Sequence, residues 1–411
     1  MENIYKDIAD RTQGNIYVGV VGPVRTGKST FIKSFMEELV IPNIEDEHKK
    51  TRAIDELPQS GSGKTIMTTE PKFVPDEAIS INIGDNTNFN VRLIDCVGYV
   101  VNSAGGYIED GKERMVKTPW NDEDISFVKA AEIGTEKVIK DHSTVGLVIT
   151  TDGSFTEIPR EDYIEPEQRV IEELKEINKP FAIVINSADP TSEKAQGLKK
   201  ELSEKYNVST TCVNCSKLNK DDINSILESV LKEFPIKEIK IYFDSWINNM
   251  DKEHWLYKNI TSIVKDTLSS VSKIRDMENC VSVFSQYDTV KSCTLSKIDM
   301  GKGAVEFSVT VPDELFYKVL GETSGYEIKN REELITLINK LSYTQREYDK
   351  IAYAIQEVNQ KGYGIVTPSI EELKLEEPEI IKQGGRFGVR LKASAPSIHI
   401  MCNKPKFLKT A

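Results

Sequence analysis

Through the first 235 residues, short apolar runs rich in β-branched residues alternate with amphipathic stretches. That alternation predicts an α/β domain: a mostly parallel sheet with helices on both faces. Strands are expected at 16–21, 145–150, 181–186 and 208–213, and helices at 29–40, 122–140, 165–178, 191–206 and 219–232. In the first helix Phe31, Ile32, Phe35, Met36 and Leu39 share one face. Residues 41–90 read as polar and irregular, with two short strands near 80–83 and 89–94. The texture changes after Pro235, which sets a first domain at 1–237 and an α+β region at 238–411 of one or two modules, with a break near 320–330. Here 244–277 reads as helical with Trp246 and Trp255 as packing anchors. A hairpin joins 289–298 to 303–311 through Met300-Gly301-Lys302-Gly303, a helix covers 331–358, and strands at 376–383 and 386–401 flank Gly384-Gly385.

Composition narrows the function classes. Among 411 residues there are 53 basic and 65 acidic side chains, a net charge of −12, and the first 240 residues carry the whole excess. This argues against general nucleic-acid binding. The stretch 381–411 holds Lys382, Arg386, Arg390, Lys392, Lys404, Lys406 and Lys409 and no acid, and reads as a solvated basic strand pair before an anionic contact. No run approaches a membrane span and no basic-then-apolar leader opens the chain, so a cytoplasmic protein is expected. Cys212 and Cys215 form a CxxC without a second pair or a histidine at ligand spacing, and read as buried small hydrophobes.

The chemistry concentrates at Gly22-Pro23-Val24-Arg25-Thr26-Gly27-Lys28-Ser29, a complete G-x4-G-K-[ST] set between a strand and a helix, with Thr30 following. Glycines let successive N–H groups face phosphate oxygens, Lys28 reaches the β- and γ-phosphates, and Ser29 ligates Mg²⁺. A second run, Gly61-Ser62-Gly63-Lys64-Thr65, has Pro58 where the motif needs glycine and reads as a polar loop. The strand Val91-Arg92-Leu93-Ile94 ends in Asp95, the acid a second magnesium-holding element requires, and continues into the D-x-x-G of Asp95-Cys96-Val97-Gly98. Thr68 and Thr69 lie between the two elements, where a switch threonine meets the metal and the γ-phosphate, so the expected metal set is Ser29, Asp95 and Thr69. Tyr99 stands where Ras-type enzymes carry the water-orienting glutamine, so slow turnover is expected, with Arg160 or a neighbouring protomer as a substitute. In the base-reading position Asn186-Ser187-Ala188-Asp189 departs from N-K-x-D at the lysine, leaving Asn186 and Asp189 as base contacts in an incomplete site. Three readings stay open on these residues: an ATPase with coupled assembly, a GTPase-type switch, and a nucleotide-stabilised scaffold.

The segments GPVRTGKSTFIKSFM, GKTIMTTEPKFVP, VRLIDCVGYVV, TTDGSFTEIPREDY and LKASAPSIHIM together resemble the stage IV sporulation protein A family, the spore-coat morphogenetic ATPases of endospore-forming bacteria. The resemblance covers essentially the whole chain and implies a P-loop NTPase of the translation-factor-like GTPase class that hydrolyses ATP with Mg²⁺. It further implies hydrolysis coupled to self-assembly into a stable polymer. That polymer would form the basement layer of the coat, on the mother-cell side of the forespore surface. By this likeness Lys28 is the phosphate-loop lysine, Asp95 the second magnesium acid, and Thr68 and Thr69 the sensor threonines. The implied partners are further copies of the chain, other coat morphogenetic proteins, and a small amphipathic membrane-anchoring peptide. In family members a helical region that follows the position of Ala411 is implicated in that anchoring.

Overall fold

The computed structural model describes residues 4–58, 71–83, 87–101, 103–104, 108–109, 112–118, 121–269, 271–368 and 370–402. Thr68, Thr69 and the run 61–65 lie outside the described residues. The chain divides into two compact units, Met1–Val311 and Pro312–Ala411.

In the first unit α1 (Ile4–Arg11) leads into β1 (Asn15–Val21), α2 (Lys28–Phe35) and α3 (Glu47–Asp55). The long strands β2 (Lys72–Ile83) and β3 (Thr87–Asp95) follow, then two small hairpins, β4 (Ile108–Glu109) with β5 (Lys112–Glu113) and β6 (Met115–Thr118) with β7 (Asn121–Ser126). Next come α4 (Phe127–Lys137), β8 (Val145–Thr151), α5 (Ile164–Ile177), β9 (Phe181–Asn186), α6 (Glu193–Tyr206), β10 (Thr210–Val213) and α7 (Lys220–Lys232). The six long strands form one sheet in the order β10-β9-β8-β1-β3-β2, parallel except for β2. Successive side chains leave a strand on opposite faces, and the core divides accordingly. Val18, Val20, Leu147 and Ile149 pack with Phe31, Ile32, Phe35 and Ile223 on one face. Val21, Val148, Ile183 and Ile185 pack with Val170, Ile171 and Leu174 on the other. Each such side chain contributes about 1.5–3 kcal/mol of burial, so the sheet is held from both sides.

Several expectations are corrected here. The polar stretch 41–90 contains α3, started by Asp46, whose side chain accepts from His48 N and Lys49 N; only Ala53 of α3 is buried, so no apolar stripe marks it. The helix expected from 122 begins at Phe127, because Asn121–Ser126 pairs with Met115–Thr118 and Ser126 caps the helix. Trp255 is 41% exposed, and Ile247 and Leu256 supply the packing instead. The stretch 386–401 is not one strand: Arg386–Arg390 and Ile398–Met401 pair with different partners.

Beyond α7 the first unit continues through β11 (Glu238–Phe243), α8 (Ser245–Asn248), α9 (Trp255–Ser269), α10 (Met277–Phe284), β12 (Ser292–Asp299) and β13 (Ala304–Thr310). β11 runs parallel to β13, which pairs antiparallel with β12, and the three cover a core of Met277, Phe284, Val305 and Phe307. Polar contacts between this module and the sheet domain include those of Arg11 and Glu233. Arg11 Nε donates to Met300 O at 2.6 Å, and the fully buried Glu233 pairs with Lys273 at 2.8 Å and Arg275 at 3.3 Å. The second unit holds α11 (Asp313–Ser324), the 31-residue α12 (Arg331–Lys361) and short antiparallel pairs, among them Tyr363–Val366 with Ile398–Met401. Among the described residues no helix is long and apolar enough to cross a membrane.

Candidate functional site

The site is built where β1 and β3 end side by side. Their register sets Val20 opposite Asp95, so the carboxylate emerges beside the loop that follows β1. That loop turns through left-handed backbone at Gly22, Arg25 and Gly27 before α2 begins at Lys28. Glycine is required at two of these turns by space as well as by φ: a Cβ on Gly22 would fall 2.2 Å from Ile149 O, and one on Gly27 would fall 2.3 Å from Asn186 Nδ2. Arg25 adopts the same region with a side chain (φ 62), strain of about 1–2 kcal/mol that the surrounding loop holds in place.

Lys28 is buried and donates to Pro23 O at 2.7 Å and Gly22 O at 3.3 Å. Burial pulls its ammonium down to about 8, with the nearby Asp95 carboxylate opposing. Gly98 closes over it: a Cβ there would come 2.4 Å from Lys28 Nζ and 2.5 Å from Gly22 O. The backbone ties the two segments together, Tyr99 N donating to Gly22 O at 3.2 Å and Val24 N to Tyr99 O at 2.8 Å. Ser29 Oγ donates to Asp95 Oδ2 at 2.6 Å. Burial pushes the Asp95 carboxyl up, and the bonds from Ser29 and the charge of Lys28 hold it back. Its other oxygen, Oδ1, is buried without a hydrogen-bond partner. An unpartnered carboxylate oxygen beside a hydroxyl is the hard-oxygen donor set that suits Mg²⁺.

Asn186 acts as a tie. Its Nδ2 donates to Thr26 O at 3.1 Å and its Oδ1 accepts from Cys215 N at 3.0 Å, which pins the phosphate loop to the end of β10. Ser187, in the place of a lysine, donates to Asp152 Oδ2 at 2.6 Å. Burial raises the Asp152 carboxyl, but the bonds from Ser154 and Ser187 outweigh it and hold the group below its ordinary range. Asp189 is exposed, and its Oδ1 accepts from Thr191 N and Oγ1 at 3.1 and 2.7 Å. Of the sequence-predicted residues, 22–30, Asp95, Gly98 and Asn186 converge, while Asp189 sits at the rim with one oxygen engaged locally.

The model for the stage IV sporulation protein A ATPase domain matches residues 1–235, and that for the family's middle domain matches residues 236–404. The chain belongs to the stage IV sporulation protein A family. The protein of that name from Clostridioides difficile (strain 630) is 51% identical over 399 residues, 97% of this chain and 81% of the relative. Those of Bacillus subtilis (strain 168) and Bacillus anthracis are 48% and 49% identical over the same shares. A crystal structure of an SsGBP mutation variant covers 54% of this chain and 56% of that one at 16% identity, with a TM-score of 0.29 too low to bear on the fold. The family places a sporulation ATPase domain on the loop and acid just described.

Two residues near the site have other employment. Tyr99 turns into the core, where its hydroxyl donates to Glu173 on α5 and its ring lies 5.5 Å from the Arg169 guanidinium. The ring is buried and the hydroxyl is directed at Glu173, and burial together with that carboxylate raises its pKa. Arg160 is engaged as well: it forms a two-pronged pair with the fully buried Glu167 at 2.8 and 2.9 Å, and Thr150 donates to the same carboxylate. Both cysteines of the CxxC are free, Cys215 buried and Cys212 half-buried, and burial raises both thiols, to about 11 at Cys212 and further at Cys215. No group of three metal-ligating side chains occurs among the described residues. The Asp152–Ser154–Ser187 network went unforeseen, because nothing in the sequence pairs a serine in one loop with an acid in another.

Proposed function

We propose that this chain hydrolyses ATP with Mg²⁺ at residues 22–30 and that its nucleotide state governs association with further copies, giving a stable polymer that underlies the spore coat. The observation that carries the reading is the contact of Lys28, Gly22 and Gly98, in which the phosphate loop and the D-x-x-G glycine meet on one ammonium. A γ-phosphate drawn to Lys28 sits against the Gly98 N–H, so gain and loss of that phosphate move the segment 95–99. Thr68 and Thr69 would add the second phosphate-dependent contact, and Thr69 with Ser29 and Asp95 the metal set. Turnover is slow because Tyr99 is committed to Glu173 and Arg160 to Glu167.

Support for an assembly role comes from the second unit. Of the 31 residues in α12 only Ala354 is buried, while Ile335, Ile338, Tyr343 and Tyr353 are exposed. An exposed apolar series on a long helix marks a contact surface. The setting this reading implies is the mother-cell side of the forespore surface. The partners are copies of the chain, other coat morphogenetic proteins and a small amphipathic anchoring peptide. The test is phosphate release from ATP with Mg²⁺ by the parent and by Lys28→Ala. Loss of release in the variant is expected, and equal rates would refute the assignment.

A further inference from the structure

The segment leaving β8 carries an aromatic ring that neither the core nor the phosphate machinery uses. Phe155 is 43% exposed, yet the chain on either side of it is anchored. Ser154 N donates to Asp152 Oδ1 at 2.9 Å, and Ser154 Oγ accepts from Ala188 N at 2.8 Å. Thr156 Oγ1 donates to Ile158 O at 3.0 Å and accepts from Tyr163 OH at 3.3 Å. The ring tip lies beside the phosphate loop, because a Cβ on Gly27 would stand 3.8 Å from Phe155 Cζ and, at 2.3 Å, against Asn186 Nδ2. Phe155 therefore occupies the corner between the loops at 22–30 and 186–189. In a complete N-K-x-D loop the lysine stem would cover the base there. Here Ser187 is too short to do so and its hydroxyl is turned to Asp152.

We infer that Phe155 is the base platform of the nucleotide site, stacking on the purine of the bound nucleotide in place of the missing lysine stem. The inference rests on the ATP-binding reading above and deepens it. A phenyl face held on a fixed backbone at a solvent boundary gives stacking without an ordering cost, and every base offers it a π-face. The ring thus separates a nucleotide from a bare polyphosphate, which the loop alone does not.

The test is calorimetric titration of the full chain with Mg²⁺–ATP and, separately, Mg²⁺–tripolyphosphate, in the parent, Phe155→Ala and Phe155→Trp. Phe155→Ala is expected to weaken ATP about ten- to a hundredfold and to leave tripolyphosphate unchanged. Phe155→Trp is expected to restore ATP affinity and to add fluorescence that ATP quenches and tripolyphosphate does not. Unchanged ATP affinity in Phe155→Ala overturns the inference, as does an equal loss for both ligands, which marks a ring that only supports the loop. A parent protein that binds neither ligand removes the ATP reading itself and the platform with it, and that failure shows before any variant is made.

Discussion

Replacing Asn186 by alanine separates a loop tie from a base reader. The side chain is buried and makes two hydrogen bonds, to Thr26 O and from Cys215 N, and both partner residues are fully buried. Alanine leaves that carbonyl and that amide unmatched. At about 1–3 kcal/mol for each unsatisfied buried group, with some relaxation, the loss of stability is about 2–4 kcal/mol. For a unit of this size the urea m-value lies at or above the ~3 kcal/mol per molar upper end of the small-protein range, so the midpoint falls by about 1 M. Urea unfolding followed by circular dichroism reads this directly, with Asp189→Ala as the exposed comparison, expected to stay within about 0.5 kcal/mol. Freed from Asn186, the stretch Thr26–Gly27 also loses its fixed curl, so Mg²⁺–tripolyphosphate binds more weakly, although it has no base. A variant of parental stability that binds tripolyphosphate normally and loses only nucleotide would refute the tie and restore Asn186 as a base contact.

Lys28 titrates at about 8 in the folded chain against an ordinary 10.5, so the native state releases its proton first and the protein gains stability as pH rises between those values. A bound triphosphate draws that proton back, so ATP affinity falls as pH climbs above about 8. Calorimetry near pH 9 in buffers of different ionisation heat should show proton uptake on binding, and its absence counts against the assignment. Asp95→Asn removes the carboxylate charge whose Oδ1 has no partner. Mg²⁺-dependent phosphate release should drop by about 10²-fold or more while the thermal midpoint changes little, since burial already opposes that charge. Glu233→Ala leaves Lys273 and Arg275 without their shared acid and Ser209 N without its acceptor at 2.6 Å, and should cost about 3 kcal/mol in chemical denaturation.

The phosphate loop, Asp95 and Gly98 were legible because their chemistry demands particular residues at fixed spacing, between elements whose apolar runs are unmistakable. β8 and β9 were legible for the same reason, being buried on both faces, whereas β2 runs from Lys72, ahead of the short strand expected near 80–83, and exposes alternate polar residues. α3 was not, since a helix that buries only Ala53 shows no stripe, and its one mark is the cap at Asp46. The acidic run before Phe127 resembles a helix N-terminus, and only pairing with Met115–Thr118 turns it into a strand. At Tyr99 the sequence showed that no glutamine is present, but its turn toward Glu173 depends on α5, seventy-odd residues away. Arg160 looked available in the sequence until folding set Glu167 beside it.

The most direct measurement is sedimentation of the purified chain with ATP, GTP or a non-hydrolysable ATP analogue, with released phosphate assayed in the same tubes. The account predicts phosphate and pelletable protein with ATP, both abolished by Lys28→Ala, and no phosphate with the analogue. Equal pelleting without nucleotide, or phosphate release that Lys28→Ala leaves intact, would contradict it.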